Sequence, residues 1–460
     1  MIDENNSVKV TFHGGAGSVT GVNILVQFPG PKGPRILLDC GLVQGSKIGD
    51  KQNHEPFAYD MGSIDALFIS HAHIDHTGRI PKLVKDGYRG PIYSTPPTKD
   101  IAHYLLLDSV GILTKEARAE GKQPLYEEKD VEPAMSQWKT VEYHQKVQFG
   151  ELSVELLDAG HVLGSSMIEM TFRGKKFVFT GDLGNSPAPF LRDTEDLSSP
   201  DYLFIESVYG DRNHEHRDDR RTKLEDVIEE TAHRKGTLVV PAFSFERTQE
   251  LLFEVKNMIE QSRIPLIPVY LDSPLAIHVT DVYNKYLSYY KEKSQQSHLM
   301  GDTMFGFPQL HPTLSTEESK SIAEKAGPKI VIAGSGMSNG GRILHHEKKY
   351  LPDPNNTLLM LGYQAPGTMG RLLQEGIKNV RIFGDEVPVR ARVVSITGYS
   401  AHKDSDHLLE FVERSADSLK KVFVVLGEPK SSLFLVQKIR DNLGVNAVMP
   451  HAGETVELPL

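Results

Sequence analysis

The strongest local signal in the chain is Ser70-His71-Ala72-His73-Ile74-Asp75-His76. It follows the short apolar run 64–70, which is typical of a buried β-strand. In an extended chain His71 and His73 point to the same side, and a turn into a helix would bring Asp75 and His76 to the neighbouring space. Three imidazoles and one carboxylate within six residues predict a site for Zn²⁺ or a similar divalent ion, and a polar loop with chance histidines is the disfavoured alternative.

Three further residues occupy strand ends beside glycine, where a metal site would draw its remaining ligands. They are Asp39 in the segment LLDCG, His161 in AGHVLGS and Asp182 in FTGDLG. Each one alone is typical of a turn, because Asp and His are common beside glycine. Their order around the histidine-rich stretch is what makes them candidates.

Length and charge limit the classes of function. The chain has 460 residues and a formal net charge of −10, so any nucleic-acid phosphates must be met by local contacts rather than by a basic surface. The single cysteine excludes an intramolecular disulfide. Neither a secretory signal nor an apolar run of about 18 residues is visible, so we expect a cytoplasmic protein without a membrane span.

Hydrophobic patterning predicts one α/β domain interrupted by another. Strand-like runs begin at Val8, a helical region follows at about 99–137, and strand-like runs between 152 and 205 are expected to pair as hairpins. A charged connector follows, and then strands and helices alternate as in a parallel sheet. A strand-rich pattern returns near Val389, with a strand-like run at 392–397. The predicted division is 1–210 and 389–460 for the outer domain and 211–388 for the insertion.

Five later motifs narrow the interpretation. They follow predicted strands or open predicted helices, and they span 204–210 (FIESVYG), 241–250 (PAFSFERTQE), 333–342 (AGSGMSNGGR), 362–371 (GYQAPGTMGR) and 398–404 (GYSAHKD). Together with the metal-site segments, their order resembles the β-CASP branch of the metallo-β-lactamase superfamily, the nucleic-acid-processing metallo-β-lactamases. The resemblance covers nearly the whole chain. It implies a four-layer αββα metallo-β-lactamase domain interrupted by an α/β β-CASP domain with a mainly parallel sheet.

The resemblance also implies roles for the candidate residues. His71, His73 and His161 would hold one metal, Asp75 and His76 the second, and Asp182 would bridge the two. Asp39 would orient a ligand from behind. Two zinc ions are expected, with Mn²⁺ as an alternative.

The implied reaction is hydrolysis of RNA phosphodiester bonds by a metal-bound hydroxide, in a cleft between two domains. His402 would protonate the leaving oxygen, with Glu206 orienting it. The glycine-rich turn with Ser335, Gly336 and Arg342 would approach phosphates, or it is an ordinary strand-to-helix turn. Arg247 and Arg371 would contact phosphates or form surface ion pairs.

One position departs from the family pattern. The family has a histidine in a VHGE-like segment that completes the second metal site, whereas this chain has Leu426 in VVLGEP. Leucine cannot ligate a metal. Three alternatives follow: a weakly bound second metal with water in the open position, a replacement ligand such as His402 or Glu428, or a protein that works with one metal or is inactive.

The sequence therefore leads to a metal-dependent ribonuclease acting on single-stranded RNA. A catalytically weakened or inactive RNA-binding subunit of a processing complex is the alternative that Leu426 raises. A small-molecule hydrolase is disfavoured by the insertion. Endonuclease and 5′ exonuclease action both stay open, as does the oligomeric state, with a homodimer among the alternatives.

Overall fold

Two units make up the computed structural model, one formed by the residues up to Asn213 with His402–Leu460 and the other by His214–Ala401. The structure describes residues 6–30, 33–45, 47–215, 217–299, 303–362, 364–365, 367–396 and 398–460. The sequence-based domain boundaries at 210 and 388 stay a prediction. Among the described residues no helix has the length and apolar character that crossing a membrane requires.

The N-terminal part of the first unit begins with three strands, continues with both helices and strands, and ends with six consecutive strands. Its strands are β1 (Ser7–Gly14), β2 (Asn23–Gln27), β3 (Arg35–Leu38), β4 (Ala66–Phe68), β5 (Ile92–Ser94), β6 (Trp138–Thr140), β7 (Val147–Phe149), β8 (Leu152–Asp158), β9 (Ser166–Phe172), β10 (Lys175–Phe179) and β11 (Tyr202–Ile205). Its helices are α1 (Lys47–His54), α2 (Ile74–Thr77), α3 (Ile80–Lys85), α4 (Pro96–Glu120) and α5 (Glu128–Gln137).

The second unit alternates strands and helices in the way that βαβ folds do. Its helices are α6 (Arg217–His233), α7 (Arg247–Glu260), α8 (Pro274–Lys285), α9 (Glu292–Leu299), α10 (Thr316–Ser321), α11 (Ile343–Tyr350) and α12 (Met369–Gln374). Its strands are β12 (Thr237–Pro241), β13 (Val269–Leu271), β14 (Leu310–Pro312), β15 (Lys329–Ala333), β16 (Thr357–Leu361), β17 (Asn379–Ile382), β18 (Asp385–Pro388) and β19 (Arg392–Ile396).

The C-terminal segment completes the first unit. It adds α13 (Ser405–Glu413), β20 (Lys421–Val424), α14 (Pro429–Leu443), β21 (Ala447–Val448) and β22 (Thr455–Pro459). Two seven-stranded sheets result, in the orders β22-β1-β2-β3-β4-β5-β6 and β21-β20-β11-β10-β9-β8-β7. The C-terminal strands thus enter both sheets, β22 beside β1 and β20 beside β11.

Strand periodicity places the core of the first unit. Phe177, Phe204 and Phe423 of the second sheet join one buried cluster with side chains of the first sheet, such as Phe12. Their sequence neighbours, among them Val178, point to the opposite face and pack with α13 and α14. Alternate side chains of these strands point to opposite faces of the sheet, and both sets are apolar. Both faces must therefore be covered, one by the other sheet and one by the helices.

A six-stranded sheet forms the centre of the second unit, in the order β14-β13-β15-β12-β16-β19. All five neighbouring pairs are parallel. The α/β class and the mainly parallel sheet of the insertion are therefore confirmed. The strand at 392–396 pairs with β16 in this sheet, although its sequence texture suggested the outer domain.

The pairing of β10 with β11 differs from the hairpins expected from sequence. β8, β9 and β10 are antiparallel neighbours, but β10 and β11 run parallel. A parallel pair needs a crossover connection, and residues 180–201 supply it. Because both strands end at the same sheet edge, Asp182 after β10 and Glu206 after β11 come close together.

Candidate metal centre

The histidine-rich segment forms the turn between β4 and α2. β4 ends at Phe68, His73 caps the N-terminus of α2, and His76 lies within that helix. His71 is completely buried, and its Nε2 lies 2.9 Å from Nδ1 of His73. The expected same-side orientation of these two histidines is therefore present in the structure.

Asp182 and His161 approach this turn from the other sheet. His161 follows β8, and Asp182 follows β10. Oδ2 of Asp182 lies 3.6 Å from Nε2 of His71 and 3.6 Å from Nε2 of His161. With His73, each of these residues offers a ligand atom, and all four atoms lie within 4.8 Å of one another. Three imidazoles and a carboxylate fit the donor preferences of zinc.

The other oxygen of Asp182 faces His76. Nε2 of His76 lies 3.6 Å from Oδ1 of Asp182 and 3.9 Å from a carboxylate oxygen of Asp75. This nitrogen is buried, and within the described part of the chain it has no hydrogen-bond partner. A buried nitrogen flanked by two carboxylates beyond hydrogen-bond distance is the environment expected of a metal ligand. The two oxygens of Asp182 therefore serve different histidines.

A buried carboxylate holds His76 from behind. Oδ2 of Asp39 lies 2.7 Å from Nδ1 of His76. The Ser70 hydroxyl donates to the same oxygen at 2.8 Å, and the Ser70 N–H donates to Oδ1 at 2.8 Å. This carboxylate makes Nδ1 the hydrogen-bonded nitrogen of His76 and leaves Nε2 toward Asp182.

His402 and Glu206 form a second group of side chains beside Asp182. Glu206 is fully buried and accepts the N–H of Leu183 at 2.6 Å. Nδ1 of His402 lies 3.3 Å from the same oxygen of Glu206 and 3.8 Å from Oδ2 of Asp182. His402 pairs with Gly184 in an isolated β-bridge, so its backbone is tied to the loop that carries Asp182.

Burial and mutual proximity set the protonation of these groups. Burial, reinforced by three neighbouring histidines and His402, keeps the pKa of His71 well below its usual value, which favours the neutral imidazole that a metal requires. Burial raises the pKa of Asp182. For His402 burial acts downward, but the Glu206 and Asp182 carboxylates outweigh it and raise the pKa to about 9. His402 is therefore suited to hold a proton.

Lys403 supports the loop that carries Asp182, a role that was not predicted from the sequence. Its ammonium group donates to the carbonyl of Gly184 at 2.8 Å and to the Ser186 hydroxyl at 3.1 Å. Burial lowers its pKa to about 8. Both Lys403 and Ser70 were missed from the sequence, because neither residue type by itself indicates a site. The adjacent histidines, His402 and His71, were the available signals.

Leu426 lies at the position where the resemblance predicts a histidine. It follows β20, is completely buried, and belongs to the apolar cluster between the two sheets. Its N–H donates to the carbonyl of Gly15 at 2.7 Å, and its φ is 51°. Glu428, one suggested replacement ligand, is exposed at the N-terminus of α14. The described residues contain one further ligand group, formed by Asp182, Glu206 and His402.

The predicted phosphate-binding residues lie in the second unit. Ser335 and Gly336 follow β15 in a turn where the Ser335 hydroxyl accepts the N–H of Asn339 at 3.1 Å. Arg342 donates to Asp272 at 2.6 Å and to the carbonyls of Thr313 and Leu314. These bonds connect the turn to the ends of β13 and β14, a role that the sequence did not indicate.

The other two predicted arginines form ion pairs within their own helices. Arg247 lies 3.0 Å from Glu250, and Arg371 lies 2.7 Å from Glu375. Arg371 is well exposed, whereas Arg247 is largely buried. A role of either residue in binding phosphate stays a prediction. Tyr363 and Pro366 of the motif at 362–371 lie outside the described residues.

Three family models match successive parts of the chain. A metallo-beta-lactamase superfamily domain matches residues 30–200, a Beta-Casp domain matches residues 248–373, and a Zn-dependent metallo-hydrolase RNA specificity domain matches residues 386–450. They appear in the order that the sequence motifs predicted. The match and the donor set together indicate a metal cofactor.

Similar proteins cover almost the whole chain. A ribonuclease of Thermus thermophilus is 37% identical, over 88% of this chain and 90% of its own length. An RNase J-like protein of Methanocaldococcus jannaschii is 32% identical, over 97% and 99%. The transcription termination factor FttA of Methanosarcina mazei is 31% identical, over 98% of this chain and 72% of its own length. A crystal structure of a protein of unknown function from Enterococcus faecalis shares the fold, with a TM-score of 0.56 at 14% identity and coverage of 98% and 100%.

Proposed function

Since the chain belongs to the β-CASP branch of the metallo-β-lactamase superfamily, we propose that it is a metal-dependent ribonuclease acting on single-stranded RNA. The observation that carries the proposal is the convergence of His71, His73, His161 and Asp182 within 4.8 Å. The names of the relatives and the RNA specificity model support RNA as the substrate. Hydrolysis of a phosphodiester is among the reactions that divalent ions held by these donors support.

We propose zinc as the metal, with manganese as the alternative that reconstitution would test. His71, His73, His161 and Asp182 would hold the first ion. Asp75, His76 and the second oxygen of Asp182 would hold the second ion, more weakly, because Leu426 supplies no ligand. The position of Nε2 of His76 within 4 Å of the carboxylates of Asp75 and Asp182 supports this second metal position.

The chain's own residues would divide the remaining work. Divalent ions, when bound, stabilise negative charge on a phosphoryl group and lower the pKa of water. Asp39 keeps Nε2 of His76 turned toward Asp182. Glu206 faces Nδ1 of His402, so the proton for the leaving oxygen would come from Nε2 of His402. In the second unit the Ser335–Gly336 turn, Arg342, Arg247 and Arg371 would contact the RNA backbone.

A non-catalytic RNA-binding subunit is the second candidate function, and Leu426 favours it. A chain that only binds RNA would tolerate loss of the second metal ligand. It would also tolerate loss of Asp182, whereas a nuclease would not.

Cleavage of 5′-end-labelled single-stranded RNA tests the proposal. The purified protein is assayed with Zn²⁺ or Mn²⁺ beside Asp182→Ala and beside Asp193→Ala, which changes a carboxylate of the same connection. Asp182→Ala should abolish cleavage and Asp193→Ala should retain it. Mononucleotide products would identify a 5′ exonuclease and discrete fragments an endonuclease, and gel filtration of the same samples tests the homodimer.

A wild-type protein that binds this RNA without cleaving it under either metal would refute the nuclease and favour the binding subunit. His402→Ala separates proton donation from metal binding, because it should lower the cleavage rate while the zinc content stays unchanged. Loss of zinc in that variant would contradict the proposed role of His402.

A further inference from the structure

Phe243 is an exposed aromatic side chain directly after the central strand β12. The residue is 42% exposed, and the Thr248 hydroxyl donates to its carbonyl at 2.7 Å, which fixes the backbone at the start of α7. Single exposed apolar residues are ordinary on protein surfaces. The position of this one in the sheet is what distinguishes it.

The strand order places the switch point of the sheet beside Phe243. The next strand of this sheet after β12 is β13, which lies toward one edge. The next strand of the sheet after β16 is β19, which lies at the opposite edge. Because the connections after these adjacent strands diverge, the carboxyl ends of β12 and β16 form the switch point of the sheet, which is where parallel α/β sheets generally bind ligands. Phe243 belongs to the loop at the carboxyl end of β12.

Glycine at position 336 lets the Phe243 ring lie against the neighbouring loop. A Cβ built on Gly336 would lie only 2.6 Å from Cδ2 of Phe243, so any larger residue there would push the ring away. The amide of Gln364 donates to the Gly336 carbonyl at 3.1 Å, and the N–H of Gly370 donates to the Met337 carbonyl at 3.0 Å. These bonds join the loops after β15 and β16 and hold the surface under the ring.

Polar groups suited to a nucleotide lie on the same loops. Ser244 follows Phe243, and its hydroxyl lies 3.2 Å from that of Ser273, which follows β13, the strand on the far side of β15 from β12. A flat apolar ring next to hydroxyl groups matches a nucleobase and its sugar–phosphate better than a purely apolar ligand.

We infer that Phe243 is a platform on which an unpaired base of single-stranded RNA stacks. The inference rests on the proposed function, because it takes RNA as the substrate. Stacking on an aromatic ring accepts every base and requires the base to be unpaired. Phe243 would therefore favour single-stranded over double-stranded RNA without reading sequence.

Binding of a fluorescently labelled ten-nucleotide oligoadenylate tests the platform, with Asp182→Asn in every protein to keep the RNA intact. Phe243→Leu removes the ring and keeps an apolar side chain, whereas Phe243→Trp keeps a stacking surface. Phe383→Leu is the matched control, since Phe383 is 55% exposed in the turn between β17 and β18 of the same unit. Thermal melting followed by circular dichroism verifies that each variant folds.

Phe243→Leu should weaken binding at least about tenfold, while Phe243→Trp and Phe383→Leu should bind like the parent. Oligoadenylates with one abasic ribose, moved along the chain, should reveal one position at which the parent loses the same factor and Phe243→Leu loses nothing. Equal binding by the parent and Phe243→Leu would overturn the inference and leave the proposed nuclease intact. A protein with the native Asp182 that neither binds nor cleaves RNA would instead refute the proposed function.

Discussion

Oδ2 of Asp39 lies 2.7 Å from Nδ1 of His76, and both side chains are completely buried. The carboxylate lies on the side of the imidazole opposite Asp182 and fixes which nitrogen of His76 meets the metal position. Groups that orient a metal-bound histidine in this way typically contribute 10- to 100-fold, as an order of magnitude, to metal affinity.

Asp39→Asn should therefore lower zinc affinity by roughly 10- to 100-fold without unfolding the protein. Asparagine tolerates the φ of 57° at this position and can still accept the N–H of Ser70. Competition with a chromophoric chelator measures the affinity. Asp65→Asn is the control, because Asp65 also accepts a backbone N–H but is exposed. Equal zinc affinity in Asp39→Asn and wild type would show that the carboxylate does not support the site.

Metal content should reveal two unequal positions. His161→Ala should remove the tightly held ion, because His161 lies within the group of four ligands. His76→Ala should keep that ion and lose only the weaker one, which a mild chelator should also remove from the wild type. Elemental analysis after dialysis against chelators of graded strength measures both. Two ions that resist chelation equally in the wild type would contradict this ranking and the effect assigned to Leu426.

The candidate metal ligands could be proposed from the sequence because their signal is local. Three histidines and an aspartate within six residues after an apolar run indicate metal chemistry whatever surrounds them. His161, Asp182 and His402 needed the order of motifs as well, since each is an ordinary turn residue by itself. The structure adds their distances, which depend on the pairing of distant strands such as β10 with β11.

What the sequence could not provide is the partner of each buried charge. Arg342 is proposed to meet a phosphate, and its guanidinium also donates to Asp272, Thr313 and Leu314. Those acceptors lie some thirty to seventy residues away in the chain, so no local pattern reveals them. The parallel course of β11 beside β10 was hidden for the same reason, because a long connection and a hairpin begin with similar turn residues.

Arg220 should be essential for the stability of the second unit. It is almost completely buried, donates to Glu250 at 2.7 Å and to Glu254 at 3.2 Å, and lies over the ring of Tyr399. Arg220→Met would remove the cation that two buried carboxylates share, of which Glu250 keeps its ion pair with Arg247, at a cost of about 3–5 kcal/mol. Urea denaturation followed by circular dichroism measures the loss.

The neighbouring residue provides the control for this prediction. Arg221 of the same helix is half-buried and donates to the exposed Gln261 at 2.7 Å, and Arg221→Met should cost about 1 kcal/mol or less. If the two variants denature at the same urea concentration, the ion pairs of Arg220 contribute no more to the stability than the hydrogen bond of Arg221.

Glu246 should make the stability of the second unit depend on pH. Burial, together with the charge of Glu250, raises the pKa of Glu246 from its ordinary value of 4.5 to about 8, although the Tyr283 hydroxyl that donates to it acts in the opposite direction. The folded state therefore keeps a proton that the unfolded chain releases. Stability from this group is fully present below about pH 4.5 and is lost as the pH rises toward 8.

Glu246→Gln should remove that loss, because glutamine still accepts the Tyr283 hydroxyl and cannot ionise. The variant should denature at nearly the same urea concentration as wild type at pH 5 and at a higher concentration at pH 8.5, with the gap widening steadily between them. Glu260→Gln changes an exposed glutamate at the end of the same helix, so it should leave the pH dependence of wild type unaltered. A gap that is constant with pH would mean that Glu246 is already ionised in the folded protein, and its contact with Tyr283 would then be an ordinary charged hydrogen bond.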